Sequence, residues 1–269
     1  MDIPHEITLL AEVFWSAAIV LGLSALAERV SMRIAGILAG APQNAVLVYF
    51  FVGRDMGIEH VTESAPHGIA SFSATIAFVL GYYLSSSWFS RYSAIAGSVL
   101  GATAFVGLAG ILSVIPFTLA GATILTLGVI GIAIWLFRKI EFMPQVMPVR
   151  YTSSLLVLRG SLAALLIVGV ITIAESLGPR WTGLLAGFPT ILLPTLLIIH
   201  LTYGAANTHT IIRNFPVGVA SIILYILSVP FTFPTLGIYG GTVASLAVPF
   251  LYLGAAALMG SKRSAGLPA

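Results

Sequence analysis

The chain has 269 residues, 58% of them hydrophobic and only 8% charged, with a mean hydropathy of +1.05. A soluble domain carries about 25% charged residues, so this composition cannot cover a water-facing surface and excludes an ordinary soluble enzyme. Twelve Lys and Arg against nine Asp and Glu leave a formal charge of +3. The basic residues are scattered through loops, so nucleic acid is not an expected partner, and with no cysteine disulfide and thiol chemistry are closed.

A transmembrane helix needs roughly 20 apolar residues. Segments of that kind fall near 7–27, 36–53, 68–85, 92–115, 118–137, 154–174, 183–203, 215–231 and 236–259, which predicts an all-α polytopic membrane protein of about nine transmembrane helices. Ala25-Leu26-Ala27 has the look of a signal-peptidase site. The leading residues carry Asp2 and Glu6 and no Lys or Arg, however, so the first segment is read as a retained helix. Alternation puts Arg29, Arg33, Arg91, Arg138, Lys139, Arg150, Arg159, Arg213, Lys262 and Arg263 on one side, and Arg54 and Arg180 on the other. The positive-inside rule then predicts a multi-pass protein of the cell (inner) membrane, N-terminus outside and C-terminus cytoplasmic.

The chain repeats itself. Residues 28–42, ERVSMRIAGILAGAP, and 175–189, ESLGPRWTGLLAGFP, share Glu28/Glu175, Arg33/Arg180, Gly36/Gly183, Leu38/Leu185, Ala39/Ala186, Gly40/Gly187 and Pro42/Pro189 at one offset of 147. A second match follows after a three-residue slip, Ala65-Pro66-His67-Gly68-Ile69-Ala70-Ser71 against Phe215-Pro216-Val217-Gly218-Val219-Ala220-Ser221. Helices one to four then correspond to six to nine, with the fifth as connector. An offset of five helices turns the second copy over, giving a 4+1+4 inverted-topology repeat of the kind used by secondary transporters. The expected units are residues 1–116, a connector and cytoplasmic loop over 117–152, and residues 153–269.

The stretch GPRWTGLLAGFPTILLP resembles the signature of GlpM-like small bacterial membrane proteins, Pro-Arg-x-x-Gly-Leu-Leu-Ala-x-x-Pro after a helix. The resemblance covers chiefly residues 175–203, with an echo at 28–53. It implies a membrane fold unit and no particular chemistry.

In each repeat a Gly-x-x-Ala-Gly-x-Pro run opens a span. Proline lacks an amide hydrogen and clashes with the preceding turn, releasing backbone groups that must find partners in hydrocarbon, while glycine admits a neighbour or a solute. Two broken or re-entrant helices entering from opposite faces would bring Pro42, Gln43 and Asn44 to Pro189 and Thr190 near mid-membrane, beside Gly40 and Gly187. Helix amino ends suit anions. The competing reading is two kinked packing helices.

Glu28 with Arg33, and Glu175 with Arg180, cap the span ends or gate opposite faces; exposed pairs contribute only about 0–1 kcal/mol. Glu12, inside the first span, is a candidate proton or cation site, while Arg159 in the sixth can snorkel. His60 and His67 share a loop with Glu59 and Glu63 but lack the helical spacing of a zinc site; His5, His200 and His209 read as surface or helix-end residues. Ser71, Ser73 and Thr75 line a pathway or bond back to their own helix. The pairs Gly97/Gly101, Gly107/Gly110 and Gly128/Gly131 read as helix-packing spacings. No catalytic constellation, metal set or cofactor motif emerges. The expected partners are the lipid bilayer and a small solute or ion, an anionic solute among the candidates, and a homo-oligomer is compatible. The function expected is a transporter or channel; the alternative is a non-transport scaffold or lipid-interaction and assembly protein.

The charge split predicts that a single cysteine at Ser264 labels from the cytoplasm and one at Thr62 from outside. Labelling of both from one face would break the nine-helix count and the inverted repeat together.

Overall fold

The computed structural model describes residues 42–89, 92–140 and 153–264. Glu12, Glu28, Arg33 and Gly40 lie outside the described residues, as do the side chains of Gln43, Arg159 and Glu175. All regular structure among the described residues is helical: α1 (Gln43–Met56), α2 (Ile58–Trp88), α3 (Ser93–Ser113), α4 (Leu119–Phe137), α5 (Ser153–Leu177), α6 (Pro179–Ala186), α7 (Leu192–Tyr203) and α8 (Ala205–Ser264). Four stretches are long and apolar enough to cross a membrane, namely α2, α3, α4 and Ala205–Tyr252 of α8; Gly160–Ala174 and α7 are shorter apolar helices. Ile95, Val99, Val106, Ile111, Ile124, Ile132 and Trp135 all stand exposed on α3 and α4. So many uncovered apolar side chains suit contact with lipid and not with water. The chain is an α-helical membrane protein.

Helix α2 is the axis. Its apolar window is 72% buried, against 28% for α3 and 22% for α4, so the others are arranged around it. At one end His60 Nε2 of α2 shares a 2.9 Å hydrogen bond with Thr182 Oγ1 of α6. Further along, Thr75 Oγ1 donates to Gly187 O at 2.7 Å. At the far end Tyr82 OH meets His200 Nδ1 of α7 at 3.1 Å. The segment α6–α7 therefore runs beside α2, in the same direction, over most of its length. The predicted seventh span is two helices, parted at residues 187–191.

Helix α8 starts at the far end, where His209 Nε2 bonds Ser86 Oγ at 2.8 Å. This is upstream of the predicted eighth span, since that span's apolar run begins only after the polar residues Asn207, Thr208 and His209. It turns back at Gly237; Thr232 Oγ1 and Ser245 Oγ are 2.6 Å apart across the bend, and Tyr252 OH donates to Val217 O at 2.9 Å. The predicted break between the eighth and ninth spans sits at this bend.

Among the described residues four glycines have positive φ and share one conformation: Gly57 (94°, 165°), Gly178 (84°, 177°), Gly204 (86°, 172°) and Gly237 (70°, 178°). That region is essentially closed to residues with a Cβ. Gly57 and Gly204 are 147 residues apart, the offset of the sequence repeat. Gly237 lies the same distance beyond position 90, which falls between α2 and α3. Proline, helix, hinge glycine and proline-containing helix recur in order, as Pro42, α1, Gly57 and α2 with Pro66, then Pro189, α7, Gly204 and α8 with Pro216.

Basic residues sort by end. Arg54 closes α1 next to Gly57, and Arg180 opens α6 beside the same end of α2. Arg138 and Lys139 follow α4 at the opposite end, where Arg213 Nη1 donates to Ile140 O at 2.7 Å.

Glycine sets the closest helix contacts. A Cβ on Gly183 would collide with Ser64 O and stand 2.6 Å from Gly68 N; one on Gly101 would stand 2.8 Å from Phe78 O; and Gly97 lies against Tyr82. The Gly97/Gly101 expectation therefore holds. The Gly107/Gly110 and Gly128/Gly131 expectation does not: nothing lies within 4 Å of a Cβ built at these four, because α3 and α4 turn those faces outward.

Gly183→Ala is expected to destabilise the detergent-solubilised protein by about 1–3 kcal/mol, the usual cost of overpacking. Gly107→Ala should be neutral or slightly stabilising, since alanine is the better helix former. Thermal unfolding of the two variants against the parent checks this.

Candidate functional site

The break between α6 and α7 follows from its sequence. Pro189 has no N–H to give to Leu185 O, and Phe188 N takes that carbonyl instead, at 2.9 Å. The helix cannot continue, and the carbonyls of Ala186, Gly187 and Phe188 lose their intrahelical donors. The chain recovers over three residues, with Thr190 N bonding Phe188 O at 2.7 Å and Leu193 N bonding Pro189 O at 2.8 Å. Pro194 falls in the first turn of α7, where its missing N–H costs nothing.

Ala186 O and Gly187 O are recovered by side chains from the first half of the chain, and Phe188 O gains a second donor beside Thr190 N. Asn44 Nδ2, in the first turn of α1, donates to Ala186 O at 2.8 Å and to Phe188 O at 3.0 Å. Thr75 Oγ1, in α2, donates to Gly187 O. Each such bond is worth about 0.5–1.5 kcal/mol net, and leaving a buried partner unmade costs about 1–3 kcal/mol.

A cavity of about 40 Å³ lies at this break, lined by Asn44, Ala45 and Thr75, by residues 186–192, and by Phe72, Phe215 and Ile222. Phe72 and Thr75 are at the middle of the 31-residue α2, so the cavity sits halfway along the axial helix. Helix α1 starts beside it and runs towards Gly57, passing Tyr49 against Gly68 and Gly53 against Val61. Helix α7 starts beside it and runs the opposite way, to His200 at the other end of α2. Two helix amino ends, about +0.5 charge each, thus approach one cavity from opposite directions.

Of the sequence candidates, Asn44, Gly187, Pro189 and Thr190 come together here. Pro42 is buried as the residue preceding α1 and does not line the cavity; Gln43 contributes its backbone to α1. Two polar atoms at the cavity are buried without a hydrogen-bond partner, Asn44 Oδ1 and Thr190 Oγ1, and Thr190 as a whole is 0% exposed. Gly187 touches α2 so closely that a Cβ would strike Ser71 Oγ. Sequence reasoning missed the apolar walls, Phe72, Phe188, Phe215 and Ile222, because nothing separates a cavity phenylalanine from any other in a span.

The other candidates are dispersed. Arg180 is exposed at the start of α6, far along α2 from the cavity. Ser71 bonds back to Gly68 O at 2.6 Å, whereas Thr75 reaches both its own helix and the break. His60 and His67 do not face a common point: His60 bonds Thr182, and His67 Nε2 bonds Ile115 O at 3.1 Å. Among the described residues no group of three or more His, Cys, Asp or Glu could hold a metal. His200 does end its helix, in the last turn of α7, but neither it nor His209 is a freely solvated side chain. His200 is 7% exposed and bonded through both ring nitrogens, the second to Ser93 Oγ at 3.0 Å, while His209 is half-buried with its ring 4.7 Å from that of Tyr83. Helix α7 delivers His200 between the end of α2 and the start of α3, where hydroxyls replace water.

Comparison of the chain with protein-family models, with curated proteins and with solved structures finds no match.

Asn44→Leu is expected to lower stability by about 1–3 kcal/mol, since it strands Ala186 O and takes from Phe188 O one of its two donors. Thr190→Val removes a hydroxyl that has no partner and should leave the unfolding temperature within a degree or two, or raise it, by the same reasoning. Differential scanning fluorimetry of the two purified variants distinguishes them.

Proposed function

We propose that this chain is a membrane transporter or channel for a small solute, with its binding site at the break between α6 and α7. One observation carries the reading: the amino ends of α1 and α7 approach from opposite directions a polar-tipped cavity halfway along α2. Discontinuous helices whose ends meet at mid-depth are how secondary transporters hold substrate within a bilayer, and unpaired polar atoms there need a partner that the described residues do not supply.

The architecture belongs to the same proposal: about nine spans in a 4+1+4 inverted repeat, N-terminus outside and C-terminus in the cytoplasm of the cell membrane. Its support is the sequence match at offset 147, the hinge glycines Gly57 and Gly204 at that same offset, and the opposed courses of α1 and α7. The orientation rests on Arg138, Lys139 and Arg213 gathering at one end while Arg54 and Arg180 lie at the other.

Purified protein in liposomes, screened against small solutes with and without a proton gradient, is expected to give flux of at least one class above protein-free vesicles. Ala45→Leu, which fills the cavity from a fully buried wall position, should abolish that flux. Absence of flux for every class tested would leave the scaffold.

A further inference from the structure

We propose that the cavity takes a small uncharged solute that donates hydrogen bonds, such as an alcohol, an amide, ammonia or water, and excludes ions; this rests on the transport reading above.

The orientation of one amide is the starting point. Both protons of Asn44 Nδ2 are spent on Ala186 O and Phe188 O. Rotating the amide by half a turn would set Oδ1 against those two carbonyl oxygens, so the hydrogen-bond network fixes it. What Asn44 leaves unpaired, buried at the edge of the cavity, is a carbonyl oxygen, which can only accept. Thr75 likewise donates its proton into the break and has only lone pairs left. Thr190, fully buried and with Oγ1 unpartnered, accepts or donates. Two acceptors and one adaptable hydroxyl call for a solute with donors.

An anion finds little to bind. The dipoles of α1 and α7 both point positive ends at the cavity, but on the α7 side the donors that would hold an anion are largely committed. Thr190 N bonds Phe188 O, Leu193 N bonds Pro189 O, Thr195 N bonds Ile191 O, and Pro189 and Pro194 have no N–H. Among the described residues no Lys, Arg or His lines the cavity. The anion expected from helix ends alone therefore gives way to the hydrogen-bonding inventory.

A cation fares no better. Among the described residues no Asp or Glu lines the cavity, so a desolvated cation would face two positive helix ends with no counter-charge from them. Phe72, Phe188, Phe215 and Ile222 cannot replace an ion's hydration shell, though they accept the CH groups of an alcohol. The volume of about 40 Å³ holds roughly three water-sized groups at about 10–15 Å³ each. That suits molecules no larger than a small polyol.

The test reconstitutes the full chain in liposomes and follows osmotic volume change by stopped-flow light scattering with water, glycerol and urea. Ammonia entry is read by an internal pH dye, and chloride and sodium by a potential-sensitive dye. The expected result is faster entry of at least one neutral solute than in protein-free vesicles, with no chloride or sodium conductance. Thr190→Val should slow that entry by roughly three- to tenfold, the worth of one hydrogen bond. Thr190→Ser, which keeps the hydroxyl, should restore it and guards against a folding artefact. Ion flux with neutral solutes at the protein-free rate would overturn the solute class and leave transport standing. Neutral flux that Thr190→Val does not change would remove this cavity from the path. No flux of any probe would overturn both readings.

Discussion

Everything at the centre of this molecule follows from three carbonyl groups that hydrocarbon cannot solvate. Pro189 takes Ala186, Gly187 and Phe188 out of the helical ladder, and inside a bilayer no water is at hand to repair the loss. Thr190 N takes up Phe188 O, and the rest of the repair comes from Asn44 and Thr75. To reach those oxygens α1 must begin beside the break, and α2 must pass it at its own midpoint. The places of three helices are thus tied to one local failure of a fourth. The cavity is the space left where these constraints meet.

Close approach makes the arrangement feasible. Gly183 and Gly187 let the backbone of α6 come within contact of α2 at Ser64, Gly68 and Ser71, and only at that spacing does the short side chain of Thr75 span the gap. Larger residues at either glycine would push the break beyond the donors that satisfy it. Packing in a membrane lacks the hydrophobic drive available in water, so small residues and buried hydrogen bonds carry more of the association. Here the two occur side by side, at Gly183 in α6 and at Gly187 just past its end.

Much of this was legible in the sequence. Nine apolar segments and their charge asymmetry were enough to expect an all-helical membrane protein, and the boundaries of α3 and α4 fall within a few residues of expectation. The meeting of Asn44 with residues 186–190 was legible too, because proline inside an apolar run has few uses. What escaped was pairing at a distance. A histidine at the end of a span gives no sign whether it faces water or, like His200, a tyrosine and a serine from other helices. Glycine spacing alone could not separate Gly97 and Gly101, which touch α2, from Gly128 and Gly131, which touch nothing; the difference lies in which way α3 and α4 turn. Asn44 read as a ligand, yet its amide protons also hold the break together, a role visible only once its partners are placed.

The bonds from Asn44 to Ala186 and Phe188 cross 142 and 144 residues of chain, and that separation sets an order of events during synthesis. Donors on α1 and α2 enter the bilayer long before the carbonyls they serve have been translated. When α6 and α7 arrive, they come as two short helices joined by an unsatisfied turn, a poor candidate for residence in lipid by itself. Helix α7, at 12 residues, is about 18 Å long by helical rise and falls short of the roughly 30 Å hydrocarbon core. The later segment settles only by docking against the earlier one. Helices α1 and α2 thus hold, far upstream in the chain, the donors on which the break between α6 and α7 depends.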